Sequence, residues 1–128
     1  MKKLKFFAAI GFFLLFSSGS FAEWTEVSSG QYATAYVDFE TMTKTDGYVY
    51  WESLVNFANP MNGVLSLKMN SKGDCENFRG KGLSGSSHQQ AMGEGEGEVH
   101  TPENPEWKTP SPETTDGVIL KAVCEATN

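Results

Sequence analysis

The sequence predicts an α+β domain: an antiparallel sheet of about five or six strands with one C-terminal helix. Three observations support this fold class. Residues 31–70 repeatedly alternate apolar and polar side chains and are interrupted by short turn motifs, which is typical of consecutive antiparallel strands. Residues 112–126 place apolar side chains at helical spacing. Two cysteines, Cys75 and Cys124, are positioned to staple that helix to the sheet by a disulfide.

The first 22 residues have the pattern of an export signal. Three lysines among the first five residues precede an apolar run over residues 6–16, and Ser20 and Ala22 occupy the −3 and −1 positions that signal peptidase expects. The apolar run has eleven residues, whereas a helix that spans a bilayer needs about 20. We therefore favour a cleaved signal over a membrane anchor or a buried helix. No cysteine lies near the cleavage site, so no lipid anchor is expected. The mature protein should be a single domain over residues 23–128, without a transmembrane segment, and periplasmic or secreted.

The charge balance becomes more acidic once the signal is removed. The 128-residue chain has 10 basic and 16 acidic side chains, and three of the basic ones lie in the signal, which leaves seven against 16 and a net charge of −9. Nucleic-acid binders present a basic face to phosphates, so this balance argues against a nucleic-acid partner. A chain of this length also excludes barrel enzymes, two-domain kinases and multispan transporters.

The N-terminal half of the mature chain predicts strands in succession. Residues 23–27 and 31–39 form the first two, the second with strict alternation. Thr45-Asp46-Gly47 predicts a turn because Asp and Gly tolerate the backbone of tight reversals. Residues 48–57 form the strongest strand, and apolar side chains on both of its faces suit a central strand with cover on each side.

The next stretch is less regular. An irregular turn is predicted at residues 59–63, followed by a strand at 64–70 whose apolar side chains face inward. A turn at 71–74 and a short strand at 75–78 complete this part of the sheet.

Residues 80–117 differ in composition from the rest of the domain. They contain seven Gly and four Pro in 38 residues, and 94–116 alone carries seven acids against one base. Because Gly is too free and Pro donates no backbone hydrogen bond, we expect an irregular Gly/Pro/Glu-rich segment, with at most a short strand at 88–92.

The C-terminus predicts a helix. Ser111 is the expected N-cap, Pro112 a first-turn residue, and Gly117 an imperfection that costs about 1 kcal/mol relative to alanine. The apolar stripe consists of Val118, Ile119, Ala122, Val123 and Ala126.

Cys75 and Cys124 are the only cysteines of the chain. Export places them in an oxidising compartment, which favours a structural disulfide over reactive thiols or a metal site. No histidine stands at zinc-finger spacing from them. A bridge closing a loop of about 50 residues is worth roughly 4 kcal/mol in the chain-entropy model.

Candidate catalytic and metal-binding residues are few. His88 and His100 are interpreted as exposed loop histidines, and the alternating Gly and Glu of residues 93–98 as solvated carboxylates rather than a calcium loop. Asp38 is either a buried acid poised for catalysis or, as we favour, a hydrogen-bond acceptor for a turn. No nucleophile, base and oxyanion donor can be grouped, so we expect a non-enzymatic protein without catalytic residues, metal or cofactor.

A series of short motifs follows in order along nearly the whole mature chain. They are Trp24, Tyr36-Val37-Asp38, Lys44, Gly47, Val49, Trp51-x-x-Leu54, Ser66-x-Lys68, Asp74-Cys75, Trp107-x-x-Pro110 and Val123-Cys124. Their order and spacing resemble the surface-adhesin protein E-like family of small exported bacterial proteins. The resemblance implies a small antiparallel sheet packed with a C-terminal helix and tied by one disulfide, here Cys75–Cys124.

The resemblance also implies a function: an exported binding protein that binds host extracellular-matrix or plasma proteins and can form a homodimer. The absence of a lipidation cysteine keeps an alternative open, a soluble periplasmic protein that binds a small ligand or supports the envelope. An exposed sheet edge could pair two copies. The aromatic side chains that could form a docking face are Tyr32, Tyr36, Tyr48 and Tyr50.

Overall fold

A computed structural model describes residues 22–127, so the expected signal lies outside the described residues apart from Ala22. One antiparallel sheet contains six strands in chain order, and a single α-helix follows them. The α+β prediction is therefore confirmed. No helix among the described residues is long and apolar enough to cross a membrane. The elements are β1 Thr25–Ser29, β2 Ala33–Thr45, β3 Tyr48–Met61, β4 Val64–Asp74, β5 Arg79–His88, β6 Gly97–His100 and α1 Thr115–Ala126.

Two-residue turns connect the central strands. Asp46 and Gly47 join β2 to β3 with φ values of 55° and 85°, as the Asp-Gly motif predicted. Asn62 and Gly63 join β3 to β4 with φ values of 53° and 82°. The expected irregular turn at residues 59–63 is therefore wrong, because its first three residues extend β3 and only Asn62-Gly63 reverses the chain.

The predicted turn at 71–74 and strand at 75–78 are also wrong. β4 continues to Asp74, and residues 75–78 form the turn, with Phe78 at a φ of 48°. β4 continues through Gly73, which lies under the indole of Trp51. A Cβ on Gly73 would be 2.8 Å from Cζ3 of that ring, so only glycine fits at this position. A glycine that looks like a turn residue in the sequence is here a packing residue.

Asp74 stabilises the turn between β4 and β5. Its carboxylate accepts hydrogen bonds from Nδ2 of Asn77 at 2.8 Å and from Nε of Arg79 at 2.9 Å. The Asn77 side-chain bond, then the Arg79 bond, hold the pKa of Asp74 below its ordinary value. Such a carboxylate stabilises the fold at pH values above about 3.9, the ordinary pKa of Asp, and this contribution is lost as pH falls through the lowered pKa of the folded state.

We therefore expect Asp74→Asn to lower the urea midpoint at neutral pH, and the difference from wild type to shrink as the pH falls below about 4. Urea unfolding over a pH series measures both effects. Asp46→Asn, the same change in an exposed turn, serves as the control and should follow the wild-type profile. A constant difference between Asp74→Asn and wild type at every pH would contradict this account.

The core forms where α1 packs on one face of the sheet, which we call the helix face. α1 contacts mainly β1, β2 and β3. The buried residues of this cluster are Ala35, Val37, Val49, Trp51, Ile119, Leu120 and Val123. The predicted helical stripe is correct for Ile119 and Val123, whereas Leu120 faces the core and Ala126 is exposed.

The helix begins later than predicted. Thr114, not Ser111, is the N-cap: its Oγ1 accepts a hydrogen bond from the Gly117 N–H at 3.1 Å. The Ser111 carbonyl accepts from both the N–H and the hydroxyl of Thr114, at 3.1 Å and 2.7 Å. Residues 111–114 thus form a turn that leads into the helix, and this turn passes directly over Gly117.

The disulfide between Cys75 and Cys124 is present, with the two Cα atoms 5.6 Å apart. It joins the β4–β5 turn to the last turns of α1, and both half-cystines pack against the core. The predicted pairing is confirmed, although Cys75 lies in a turn rather than at the start of a strand.

Residues 80–117 are more regular than expected. β5 occupies 79–88 and β6 occupies 97–100, so the expectation of irregular structure is wrong for these two stretches. The short strand expected at 88–92 is also wrong, because His88 ends β5 and residues 89–92 lie in no strand. The connection between them includes a 3₁₀ turn at Ala91–Gly93.

This connection packs on the face opposite the helix. Met92 N–H donates to Oδ1 of Asn56 at 2.8 Å, and Gly93 N–H donates to the hydroxyl of Ser66 at 2.9 Å. Val49 and Leu54 lie on opposite faces of β3 and are 1% and 0% exposed, so this strand is covered on both sides as predicted.

Candidate functional site

The helix covers only part of the helix face of the sheet. α1 lies over β1–β3, and the helix face of β4 and β5 is bordered instead by the chain segment 102–110. Between α1, this segment and the sheet lies a cavity of about 460 Å³, which we call the β5 groove. Its floor is made by Trp51, Ser53, Val55, Met69, Ser71, Gly80 and Gly82.

A second cavity extends the β5 groove toward β6. It measures about 240 Å³ and shares Met69, Gly82 and Pro102 with the first. The two cavities therefore form one elongated depression that runs from the start of α1 to His100. An elongated, open depression suits a chain segment better than a compact molecule.

The shape of the groove follows from how the chain leaves β5 and returns to it. Residues 85–88 of β5 pair with β6, and Gly80 pairs with Lys108 through two hydrogen bonds of 2.9 Å and 2.8 Å. Residues 81–84 between these points have no strand partner on that side among the described residues. Along this four-residue stretch, the backbone groups that point away from β4 therefore have no strand partner, the arrangement to which an extended peptide can add a strand.

Glycines give the groove its depth. Gly80 and Gly82 place no side chain on the floor, and a Cβ on Gly82 would be 3.3 Å from the Met69 methyl. Apolar side chains on the floor meet polar and charged groups along the walls, namely Asn104, Glu106, Lys108 and Asp116. This combination of an apolar floor with a polar rim is typical of protein-binding sites.

Trp51 adds an unsatisfied donor beneath the groove. The residue is 7% exposed, and its Nε1 is buried without a hydrogen-bond partner among residues 22–127. A buried donor without a partner costs free energy, and such exceptions in folded proteins call for an explanation.

The residues singled out in the sequence have separate environments. Asp38 is 1% exposed and accepts from the Glu40 N–H at 3.1 Å and the Thr41 hydroxyl at 3.0 Å, so the favoured reading as a local hydrogen-bond acceptor is confirmed. The reading of His88 as an exposed loop residue is wrong. It is 5% exposed on β5, with Nε2 2.7 Å from the Ser86 hydroxyl.

His88 is buried because Gly97 of β6 packs flat against its imidazole. A Cβ on Gly97 would be 2.4 Å from Cε1 of the ring. His100 is exposed as expected but lies on β6 rather than in a loop. Glu94, Glu96 and Glu98 are exposed. Within residues 22–127 no group of three or more metal-ligating side chains was found.

The expected tyrosine docking face is divided. Tyr32 is 75% exposed and precedes β2, whereas Tyr36, Tyr48 and Tyr50 are partly buried. The sequence does not indicate the β5 groove, because Gly80-x-Gly82 lies in the segment whose composition predicts irregular chain. Read as a strand, the same spacing would place two residues without side chains on one face and so indicate a depression.

Comparisons with known proteins found one matching family and solved structures with a similar fold. The family described as Surface-adhesin protein E matches residues 24–125. The structure of Haemophilus influenzae protein E is similar with a TM-score of 0.61 at 13% identity, covering 85% of this chain and 89% of that one. Protein E from non-typeable Haemophilus influenzae gives a TM-score of 0.59 at 13% identity, covering 88% and 82%. No curated protein sequence matched the chain.

Proposed function

Because the chain belongs to the surface-adhesin protein E family, we propose that it is an exported, non-enzymatic binding protein whose β5 groove takes up a segment of a host extracellular-matrix or plasma protein. The observation that carries the proposal is the four-residue unpaired edge of β5 beside an elongated apolar depression. A partner segment in extended conformation would pair with residues 81–84 and place alternate side chains on the groove floor.

A pulldown tests the class of partner. The mature, disulfide-bonded protein is immobilised and incubated in parallel with host matrix extract, plasma and bacterial periplasmic extract. We expect specific capture from the matrix or plasma sample. Capture from the periplasmic extract alone would overturn the proposal in favour of an envelope role.

A substitution in the groove floor tests the place of binding. Gly82→Leu should fill the β5 groove at little structural cost, because the nearest obstacle to a new Cβ is the flexible end of Met69. We expect affinity for the captured host protein to fall by at least about tenfold, or about 1.4 kcal/mol. Titration of the host protein onto the immobilised variant measures the loss.

Thr43→Leu is the matched control, because it adds the same apolar side chain at an exposed position of β2, far from β5 in the strand order. Equal affinities of Gly82→Leu, Thr43→Leu and wild type would show that the partner binds elsewhere.

A second candidate function rests on the size of the cavity. About 460 Å³ lies within the range of small-molecule pockets, which is about 300–1,000 Å³. This favours the alternative of a soluble periplasmic protein that binds a small ligand. Cell fractionation separates the two functions, since a protein confined to the periplasm cannot act as an adhesin. N-terminal sequencing of the same fractions should read Glu23-Trp24-Thr25 if export removes residues 1–22.

Self-association would use the open sheet edges. β1 and β6 are the edge strands, and Val99 on β6 is 72% exposed. β1 carries a register shift between Glu26 and Ser28, a feature that discourages edge pairing. We therefore place the contact of a homodimer at β6 rather than at β1.

A further inference from the structure

Three cationic side chains converge on the ring of Trp107. The guanidinium carbon of Arg79 and the ammonium nitrogen of Lys81 each lie 4.6 Å from the centroid of this ring, and the ammonium nitrogen of Lys72 lies 5.9 Å away. Lys72 is also 4.3 Å from the Tyr48 centroid and 5.6 Å from that of Tyr50. We call these six residues the cation–aromatic cluster.

The cluster concentrates positive charge in an acidic protein. The mature chain has seven basic side chains against 16 acidic ones, and three of the seven meet here. Among residues 22–127, the salt bridge between Arg79 and Asp74 is the only one formed. Lys72 and Lys81 thus have no carboxylate within 4 Å, although the chain contains more than twice as many acids as bases.

The aromatic rings explain how Lys72 and Lys81 can both lie near Trp107 without being neutralised. The face of an aromatic ring attracts a cation through its quadrupole but carries no net charge. Tyr48 and Trp107 therefore fix the positions of the ammonium groups, and their positive charge remains available to a ligand. If carboxylates held the two ammonium groups instead, their positive charge would be neutralised.

The positive charge of the cluster indicates an anionic ligand. A set of aromatic rings around one point could bind a cationic ligand, but here the space is occupied by Lys72 itself and flanked by Lys81 and Arg79, which would repel a second cation. We propose that the cation–aromatic cluster is a binding site for an anionic sugar that carries sulfate or phosphate esters.

The ester groups match the donors. Each sulfate or phosphate presents several terminal oxygens, so one group can accept charge-assisted hydrogen bonds from two ammonium groups at once. The partly buried rings of Tyr50 and Trp107 border the cations, so a sugar whose ester group binds there would lie beside apolar surface. The net charge of −9 on the mature chain disfavours a long uniform polyanion such as nucleic acid.

The site overlaps the β5 groove only at Lys81, which belongs to the 81–84 edge and also borders the groove. Tyr48, Tyr50 and Lys72 alternate with Trp51 and Ser71 of the groove floor, so their side chains point to the opposite face of the sheet. The cluster can therefore fail to bind a sugar while the β5 groove still binds protein. Equally, the groove can fail to bind protein while the cluster binds a sugar.

Calorimetric titration tests the inference with a sulfated heparin-derived tetrasaccharide and its chemically desulfated form. We expect the wild-type mature protein to bind the sulfated form only, with the indole N–H resonance of Trp107 shifting during an NMR titration. Lys72→Gln combined with Lys81→Gln should weaken binding by at least about tenfold, because both charge-assisted contacts are lost. Inorganic sulfate should bind more weakly than the tetrasaccharide.

Lys44→Gln combined with Lys121→Gln is the matched control, with the same change of net charge at two exposed lysines outside the cluster. It should bind like wild type, and thermal unfolding should show that both double variants fold. Equal loss in the two double variants, or no binding of the sulfated tetrasaccharide at millimolar concentration, would overturn the inference. Equally tight binding of single-stranded DNA with the same number of charges would overturn the assignment to a sugar.

Discussion

Replacing Cys75 and Cys124 together by alanine should lower the free energy of unfolding by about 4 kcal/mol. The bridge closes a loop that contains β5, β6 and the whole Gly- and Pro-rich segment, and the two half-cystines are 49 positions apart in sequence. Without it, the unfolded chain gains conformational freedom. α1 has 12 residues, a length at which an isolated helix is marginal, so the helix would rely on the core contacts of Ile119, Leu120 and Val123 alone.

Urea unfolding of the oxidised wild type, the reduced wild type and the double alanine variant measures this contribution. The reduced wild type and the variant should share a midpoint well below that of the oxidised protein, and the melting temperature should fall by more than about 10 °C. A reductant should leave the variant unchanged. A variant as stable as the oxidised wild type would mean that the disulfide does not stabilise this domain.

Gly117→Ala should destabilise the protein, although alanine is the better helix former by about 1 kcal/mol. A Cβ at this position would lie 2.0 Å from the Ser111 carbonyl oxygen and 2.9 Å from the Pro112 Cα, and both are backbone atoms. The turn that precedes α1 would have to move, which would break the hydrogen bonds between Thr114 and Ser111. Overpacking of this kind costs about 1–3 kcal/mol, and we expect a net loss of about 2 kcal/mol.

Lys121→Ala is the control for Gly117→Ala, because this residue is exposed on the same helix. It should change the free energy of unfolding by less than about 0.5 kcal/mol. If Gly117→Ala were as stable as wild type or more stable, the interpretation of Gly117 as a mere imperfection of the helix would be restored, and the tight packing of residues 111–112 would be wrong.

The sequence predicts those elements of the fold that depend on local information. Asp46-Gly47 specifies its hairpin because both residues tolerate positive φ, and the period-two alternation of β2 and β3 identifies the faces that become buried. The disulfide follows from the exported compartment and the presence of only two cysteines.

Several of the errors occur where distant residues decide the local structure. Gly73 lies in a strand, and Trp51 packs on it. Gly85 also lies in a strand, where a Cβ would be 2.8 Å from the carbonyl oxygen of Lys68 on the neighbouring strand. His88 is buried because Gly97 packs against it. In each case the glycine looks like flexible chain in the sequence, and only the neighbouring strand shows why no side chain fits.

The two candidate sites were beyond prediction for the same reason. The β5 groove requires the register of β4 with β5 and the return of the chain at Lys108. The cation–aromatic cluster requires Trp107 to lie beside lysines of β4 and β5, which are 35 and 26 positions away in the sequence. Trp107 was recognised within a family motif, but its partners could not be read from its surroundings.

Amide hydrogen exchange of the mature protein, alone and bound to the host protein captured in the pulldown, tests the central claim most directly. Residues 81–84 have no strand partner on the groove side among the described residues, so amides facing the groove should exchange rapidly in the free protein. The account predicts that binding slows exchange in these residues and in the segment 102–110. Protection confined to β1 or to the outer face of α1, with residues 81–84 unchanged, would contradict it.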